Sequence, residues 1–122
     1  MATAQQIEAF RQSWRPTQEK VSLAVQTAID VANPSRVFVF GSWARGEATP
    51  DSDLDLAVLV PEERRGEIPQ LQRQIRQRLE GIRMSIDLLL VTEEDLATFG
   101  SLAGTIYFDI AHEGKLVYEQ PR

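Results

Sequence analysis

Three aspartates have the type and spacing to hold metal ions: Asp53 and Asp55, separated by one residue, and the more distant Asp87. Residues i and i+2 of a strand lie on the same face, so Asp53 and Asp55 would stand side by side. Neighbouring carboxylates repel unless something positive sits between them. Mg²⁺ suits that position, because it prefers carboxylate and phosphate oxygens. Asp87 sits in Met84–Val91 (MSIDLLLV), a run with no lysine or arginine to pair with it, and unpaired acids are rarely buried. If this run lies beside Asp53–Val60, the three acids share a face. They could then hold two cations in the arrangement that serves in-line phosphoryl transfer. Gly41-Ser42 supplies a second half-site. A glycine after a buried strand lets the backbone turn sharply and approach a ligand. The N–H groups of a helix opening there suit a phosphate, and Ser42 adds a hydroxyl. Each feature alone has a plainer reading: a strand-to-helix turn, acidic decoration of an edge strand, or for Asp87 a cap or a salt bridge to an arginine of the 64–83 region. Counted together, they favour metal and phosphate chemistry.

The elements that must position these residues are legible in outline. Thr3 and Gln6 form a capping-box pattern, and Ile7, Phe10 and Trp14 follow on one helical stripe. After Pro16 a second helix runs to about Ala32, with Val21, Val25, Ala28, Ile29 and Ala32 on its stripe. Asn33-Pro34-Ser35 is a stop and turn. Arg36–Phe40 (RVFVF) reads as a strand, Ser42–Gly46 as the opening of a short helix, and Glu47–Ser52 as a turn-rich loop around Pro50. Asp53–Val60 is a second strand, with Leu54, Leu56, Val58 and Val60 on the buried face opposite the acids. Pro69–Leu79 reads as a helix, with Leu71, Ile75 and Leu79 inward and Gly81 at its end. Met84–Val91 is a third strand. Thr92 with Asp95 starts a helix ending near Gly100, Ile106–His112 is a last helix, and Lys115–Tyr118 a short edge strand. This order implies an α+β fold, a small mixed sheet with helices packed on it. One domain over 1–122 is expected: N-terminal helices at 4–32, a catalytic core at 36–91, and C-terminal helices with an edge strand at 92–119.

Composition narrows the function classes. The chain has 122 residues, no cysteine and a net charge of −5. Thiolate chemistry and disulfides are excluded. A broad nucleic-acid surface is disfavoured, since that needs a basic footprint. A nucleotide stays open, because a metal can carry the positive charge. No signal-peptide pattern opens the chain and no apolar run is long enough to span a membrane, so a cytoplasmic location is expected.

The motifs resemble a known family. Gly41-Ser42, ten intervening residues, Asp53-Leu54-Asp55 and a distal strand aspartate resemble the signature of the DNA polymerase β-like nucleotidyltransferase superfamily. The fuller spelling, Gly41-Ser42-Trp43-Ala44-Arg45-Gly46-Glu47 with Ser52-Asp53-Leu54-Asp55-Leu56, resembles its minimal nucleotidyltransferase (MNT) branch. The ending Glu113-Gly114-Lys115-Leu116-Val117-Tyr118-Glu119 does so too, and the likeness covers about residues 20–119. The resemblance implies that Asp53 and Asp55 bind two Mg²⁺ ions, with Mn²⁺ as a substitute. Asp87 would complete the metal site on the acceptor side and help take the acceptor's proton. Gly41 and Ser42 would hold the β- and γ-phosphates of ATP or another nucleoside triphosphate. Arg45 would either neutralise phosphate charge or fix its loop by pairing with an acid. Larger relatives carry an extra acceptor domain, which is not evident here. Minimal members are commonly paired with HEPN-domain toxins in hetero-oligomers and transfer AMP onto a tyrosine of the toxin. The implied role is therefore a protein adenylyltransferase acting as an antitoxin. The alternative is a non-catalytic antitoxin that binds and occludes its toxin. Transfer to a small molecule is disfavoured by the missing acceptor domain.

Other residues carry plainer expectations. Trp43 packs beneath its loop. His112, the only histidine, suits a helix C-terminus. The arginines at 64, 65, 73, 76, 78 and 83 read as a solvated face. Ile106, Tyr107, Phe108 and Ile110 cover too many helix directions for one buried stripe; core packing is the default expectation, with a partner-facing role for some as the alternative.

Overall fold

A computed structural model describes residues 1–49 and 51–121; Pro50 and Arg122 lie outside the described residues. Helix α1 (Ala4–Ser13) opens with the expected capping box, Thr3 and Gln6 bonding each other's backbone at 3.1 and 2.8 Å. Its Ile7, Phe10 and Trp14 face solvent rather than a core. Helix α2 (Gln18–Ala32) starts at Thr17, whose side chain accepts from the Lys20 N–H. It ends at Asn33, whose left-handed φ of 44° stops the helix.

Strands β1 (Arg36–Phe40), β2 (Leu54–Val60), β3 (Ile86–Thr92) and β4 (Lys115–Glu119) form one sheet in the order β3-β2-β1-β4. β1 runs antiparallel to β2 and β4, while β2 and β3 are parallel. The mixed sheet and α+β class match expectation, as does the edge position of β4. The parallel pair needs a crossover, which a 3₁₀ turn (Glu62–Glu67) and helix α4 (Ile68–Leu79) provide. The turn extends the expected helix at its front. Gly81 does not adopt a left-handed φ.

Helices cover both faces of the sheet. On one, Val21, Ala24 and Val25 of α2 and Leu71, Ile75 and Leu79 of α4 meet Leu54, Leu56, Val58 and Val60. On the other, α5 (Glu93–Phe99) and α6 (Ile106–Glu113) bring Leu96 and Ile110 onto Phe38, Phe40, Ala57 and Leu59. The uninterrupted Leu56–Val60 run fits this double covering, since strands buried on both faces lose the polar alternation of half-exposed ones. It corrects the expectation of a single buried face. The expected strand boundaries also shift. β2 begins at Leu54, with Asp53 just before it, and β3 begins at Ile86 rather than Met84.

Candidate active site

Register brings the acids together. Asp55 in β2 stands directly opposite Asp87 in the parallel strand β3, and also opposite Phe40, the last residue of β1. The starts of β2 and β3 and the end of β1 therefore meet at one end of the sheet. Asp55 alternates with Leu54 and Leu56, which point to α2 and α4, so its carboxylate points to the α6 side. Asp87 is exposed there, which corrects the premise that it is buried; its lack of a cation follows from the open sheet end, not from enclosure.

Between β1 and β2 the chain makes a compact return. Helix α3 spans Gly41–Ala44, starting one residue earlier and ending two residues earlier than the expected Ser42–Gly46. Gly41 has φ +72°, and a Cβ there would stand 2.0 Å from Asp55 Oδ2. The glycine is thus required by the carboxylate packed against it as well as by the turn. Trp43 is half-buried and packs against the core. The loop closes through Glu47 N–H to Ser42 O at 2.9 Å. Thr49 N–H then donates to the Ser52 hydroxyl at 2.8 Å, just ahead of Asp53.

Arg45 holds this return in place. Its Nε lies 3.1 Å from Glu47 Oε2 and its Nη1 3.0 Å from Glu113 Oε2, tying α3 to the end of α6. Those two carboxylates raise the guanidinium's pKa. A cleft of about 460 Å³ opens here, bounded by Gly41, Ser42, Arg45, Asp53, Asp55 and Asp87 on the sheet side and by Ile106, Asp109 and Glu113 of α6 opposite. All six residues singled out from the sequence line it. Asp109 and Glu113 were not anticipated as cleft residues. Their i, i+4 spacing on the last helix and the need of Arg45 for an acidic partner were the available signals.

The electrostatics are one-sided. Burial pushes the Asp55 carboxyl above its ordinary range, and the charges of Asp87 and Asp53 push it further, with only a partial offset from Arg45. Among the described residues, none of the three aspartates forms a salt bridge; Arg45, the cation that lowers the Asp55 pKa, is bound to two glutamates. A divalent cation would relieve this conflict. No three such side chains among the described residues form a ready-made ion cage. An ion held here would need water or substrate-phosphate ligands beside the carboxylates, as Mg²⁺ commonly has.

Of the residues with plainer expectations, Ile106 borders the cleft and the others do not line it. His112 stacks on Phe108 at 3.9 Å and contacts its carbonyl through Nδ1 at 3.0 Å. Ile110 is fully buried and Tyr107 packs on the core, while Ile106 is exposed at the cleft. The arginine region is only partly a solvated face: Arg65 pairs with Glu62 and Asp95, and Arg64 with Glu67.

The cleft has a glycine-serine turn on one wall and clustered carboxylates on the next, as expected of the nucleotidyltransferase class. A model of the polymerase beta nucleotidyltransferase family matches residues 24–122, and the chain belongs to that family. Among curated proteins none matches. Its fold is similar to the crystal structure of a candidate nucleotidyltransferase from Sulfolobus solfataricus (TM-score 0.58, 16% identity, 93% of this chain and 86% of that one). A weaker likeness, with TM-score 0.46 and 18% identity over 86% of this chain and 75% of the other, is to a chain of a toxin–antitoxin complex with AMP-PNP. Among the described residues no helix is long and apolar enough to cross a membrane.

Proposed function

We propose that this chain transfers AMP from ATP to a hydroxyl of a partner protein, a tyrosine of a HEPN-domain toxin, and thereby acts as its antitoxin. The observation that carries the catalytic half is the meeting of Asp53, Asp55 and Asp87 in one cleft with Gly41 and Ser42. The partner half is supported by the resemblance of the 41–56 and 113–119 segments to the minimal branch. Gly41 and Ser42 hold the outer phosphates. Asp53, Asp55 and Asp87 would hold Mg²⁺, which when bound would supply positive charge against the phosphates. The acceptor oxygen forms a bond to the α-phosphorus as the bond to the bridging oxygen breaks, and pyrophosphate leaves. The hydroxyl proton passes to the Asp87 carboxylate. Arg45 secures the phosphate-binding turn by its ion pairs with Glu47 and Glu113.

The test incubates the protein with its partner, labelled ATP and Mg²⁺ and follows label on protein together with released pyrophosphate. Asp55→Asn is expected to lower transfer by at least about a hundredfold, the scale of losing a transition-state electrostatic contact. Transfer at the wild-type rate in that variant would refute the metal assignment.

A further inference from the structure

Helix α1 buries none of its residues, yet it is anchored. The Lys20 ammonium donates to the carbonyls of Ser13, Arg15 and Arg83 at 2.7, 2.8 and 2.7 Å. This ties the α1–α2 corner to the turn that leads into β3. Arg83 also reaches the Ser13 hydroxyl at 3.4 Å. What the anchored helix holds in place is an aromatic pair. Phe10 and Trp14 are 61% and 43% exposed, with ring centroids 6.5 Å apart. They wall a cavity of about 280 Å³ whose other side includes Ser52, Asp53 and Ser85. Asp53 is therefore a wall shared by this cavity and the catalytic cleft.

The strand order gives the cavity a direction. Gly41 and Ser42 follow β1, Asp53 and Asp55 open β2, and Asp87 opens β3, the outer strand. Ser85, one residue before β3, and Ser52 and Asp53, just before β2, line the aromatic cavity at this same end of the sheet. In-line transfer puts the attacking and leaving oxygens on opposite sides of the phosphorus. With the outer phosphates on Gly41 and Ser42, the attacking oxygen arrives from the β3 side, where the aromatic cavity opens. Asp51 and Asp53 line the cavity with Arg11, which lies 3.9 Å from Asp51, so the lining keeps one excess negative charge and disfavours a polyanionic acceptor. Exposed rings favour another ring, in edge-to-face or offset contact.

We propose that Phe10, Trp14 and Ser85 form the acceptor pocket, and that its occupant is the phenol ring of a tyrosine on the partner polypeptide, with its hydroxyl toward Asp53. This rests on the nucleotidyl-transfer reading above. The experiment uses the Trp43→Phe protein, in which Trp14 is the sole tryptophan, and titrates N-acetyl-tyrosinamide in the presence of Mg²⁺ and a non-hydrolysable ATP analogue. A saturable change in Trp14 fluorescence is expected. Phe10→Ala should weaken its midpoint about five- to tenfold and leave the affinity for the nucleotide, measured by calorimetry, unchanged. Absence of a saturable phenol signal overturns the proposal. A signal produced by the nucleotide alone and removed by Phe10→Ala also overturns it, assigning the rings to the base. Failure of the unsubstituted protein to bind the nucleotide refutes the nucleotidyl-transfer reading instead, and the phenol titration without nucleotide stays readable.

Discussion

Asp55 sits in a conflict that the fold leaves unresolved. Its pKa is raised, first by burial and then by the charges of Asp87 and Asp53. A carboxylate whose folded pKa exceeds its unfolded one is least destabilising when protonated. Its contribution to stability is fully present below the unfolded pKa, about 3.9, and is lost as pH rises through the folded value. At neutral pH and without metal, Asp55→Asn should therefore melt at the same temperature as the wild type or higher. That advantage should vanish at acid pH, and Mg²⁺ should stabilise the wild type more than the variant. Calorimetric scans with and without chelator decide it; a variant less stable at neutral pH in chelator would show that the site satisfies the carboxylate without a cation. Residue spacing made the acids legible, because Asp53 and Asp55 are near neighbours and Asp87 stood out in an apolar run. The fit of Gly41 against Asp55 was hidden. A glycine's reason for being small lies in what approaches it, and here that is a side chain fourteen residues on.

Elements were legible where periodicity and caps speak locally, and less so where tertiary contact decides. The caps at Thr3 and Thr92 start the helices that sequence places there, while the Thr17 cap of α2 was not anticipated. The second face of β2 depended on which helices came to rest on Ala57 and Leu59, and no local pattern carries that. Asp109 and Glu113 reach the cleft only because α6 packs beside β1, so they too escaped notice. Helix α1 is the opposite case, with a clear apolar stripe and no core beneath it. Its attachment depends on the Lys20 ammonium and its three carbonyl partners, since helices lacking buried contacts open locally at small free-energy cost. Lys20→Met should leave those carbonyls without their charged donor and loosen α1, at about 1–3 kcal/mol. Hydrogen exchange should quicken across residues 4–14 while β2 amides keep their protection. Equal acceleration in both would show that α1 and the sheet open as one unit.

The whole molecule carries a charge of −5, and its cleft gathers Asp53, Asp55, Asp87, Asp109 and Glu113 around a single arginine that is already paired. A triphosphate is repelled from such a surface unless cations accompany it, so nucleotide binding should be lost when Mg²⁺ is chelated. The side proposed for the acceptor is the open one. Asp87 is exposed and β3 is the outer strand of the sheet. Whatever docks there must bring and orient the hydroxyl, and orientation is a large part of such catalysis. The protein alone should therefore turn over slowly, and a cognate HEPN protein should raise the rate and emerge with added AMP. Toxicity of the partner should fall in step with that modification. Two mechanisms predict different behaviour for Asp53→Asn. An enzyme loses neutralisation with the carboxylate, because binding survives while transfer stops. A protein acting by occlusion neutralises equally well with asparagine there, since the change removes one charge from an exposed position and leaves the helical surfaces intact. Intact mass spectrometry of the partner, run beside a growth assay with both forms, separates them. An unmodified partner that the Asp53→Asn protein neutralises fully would establish occlusion.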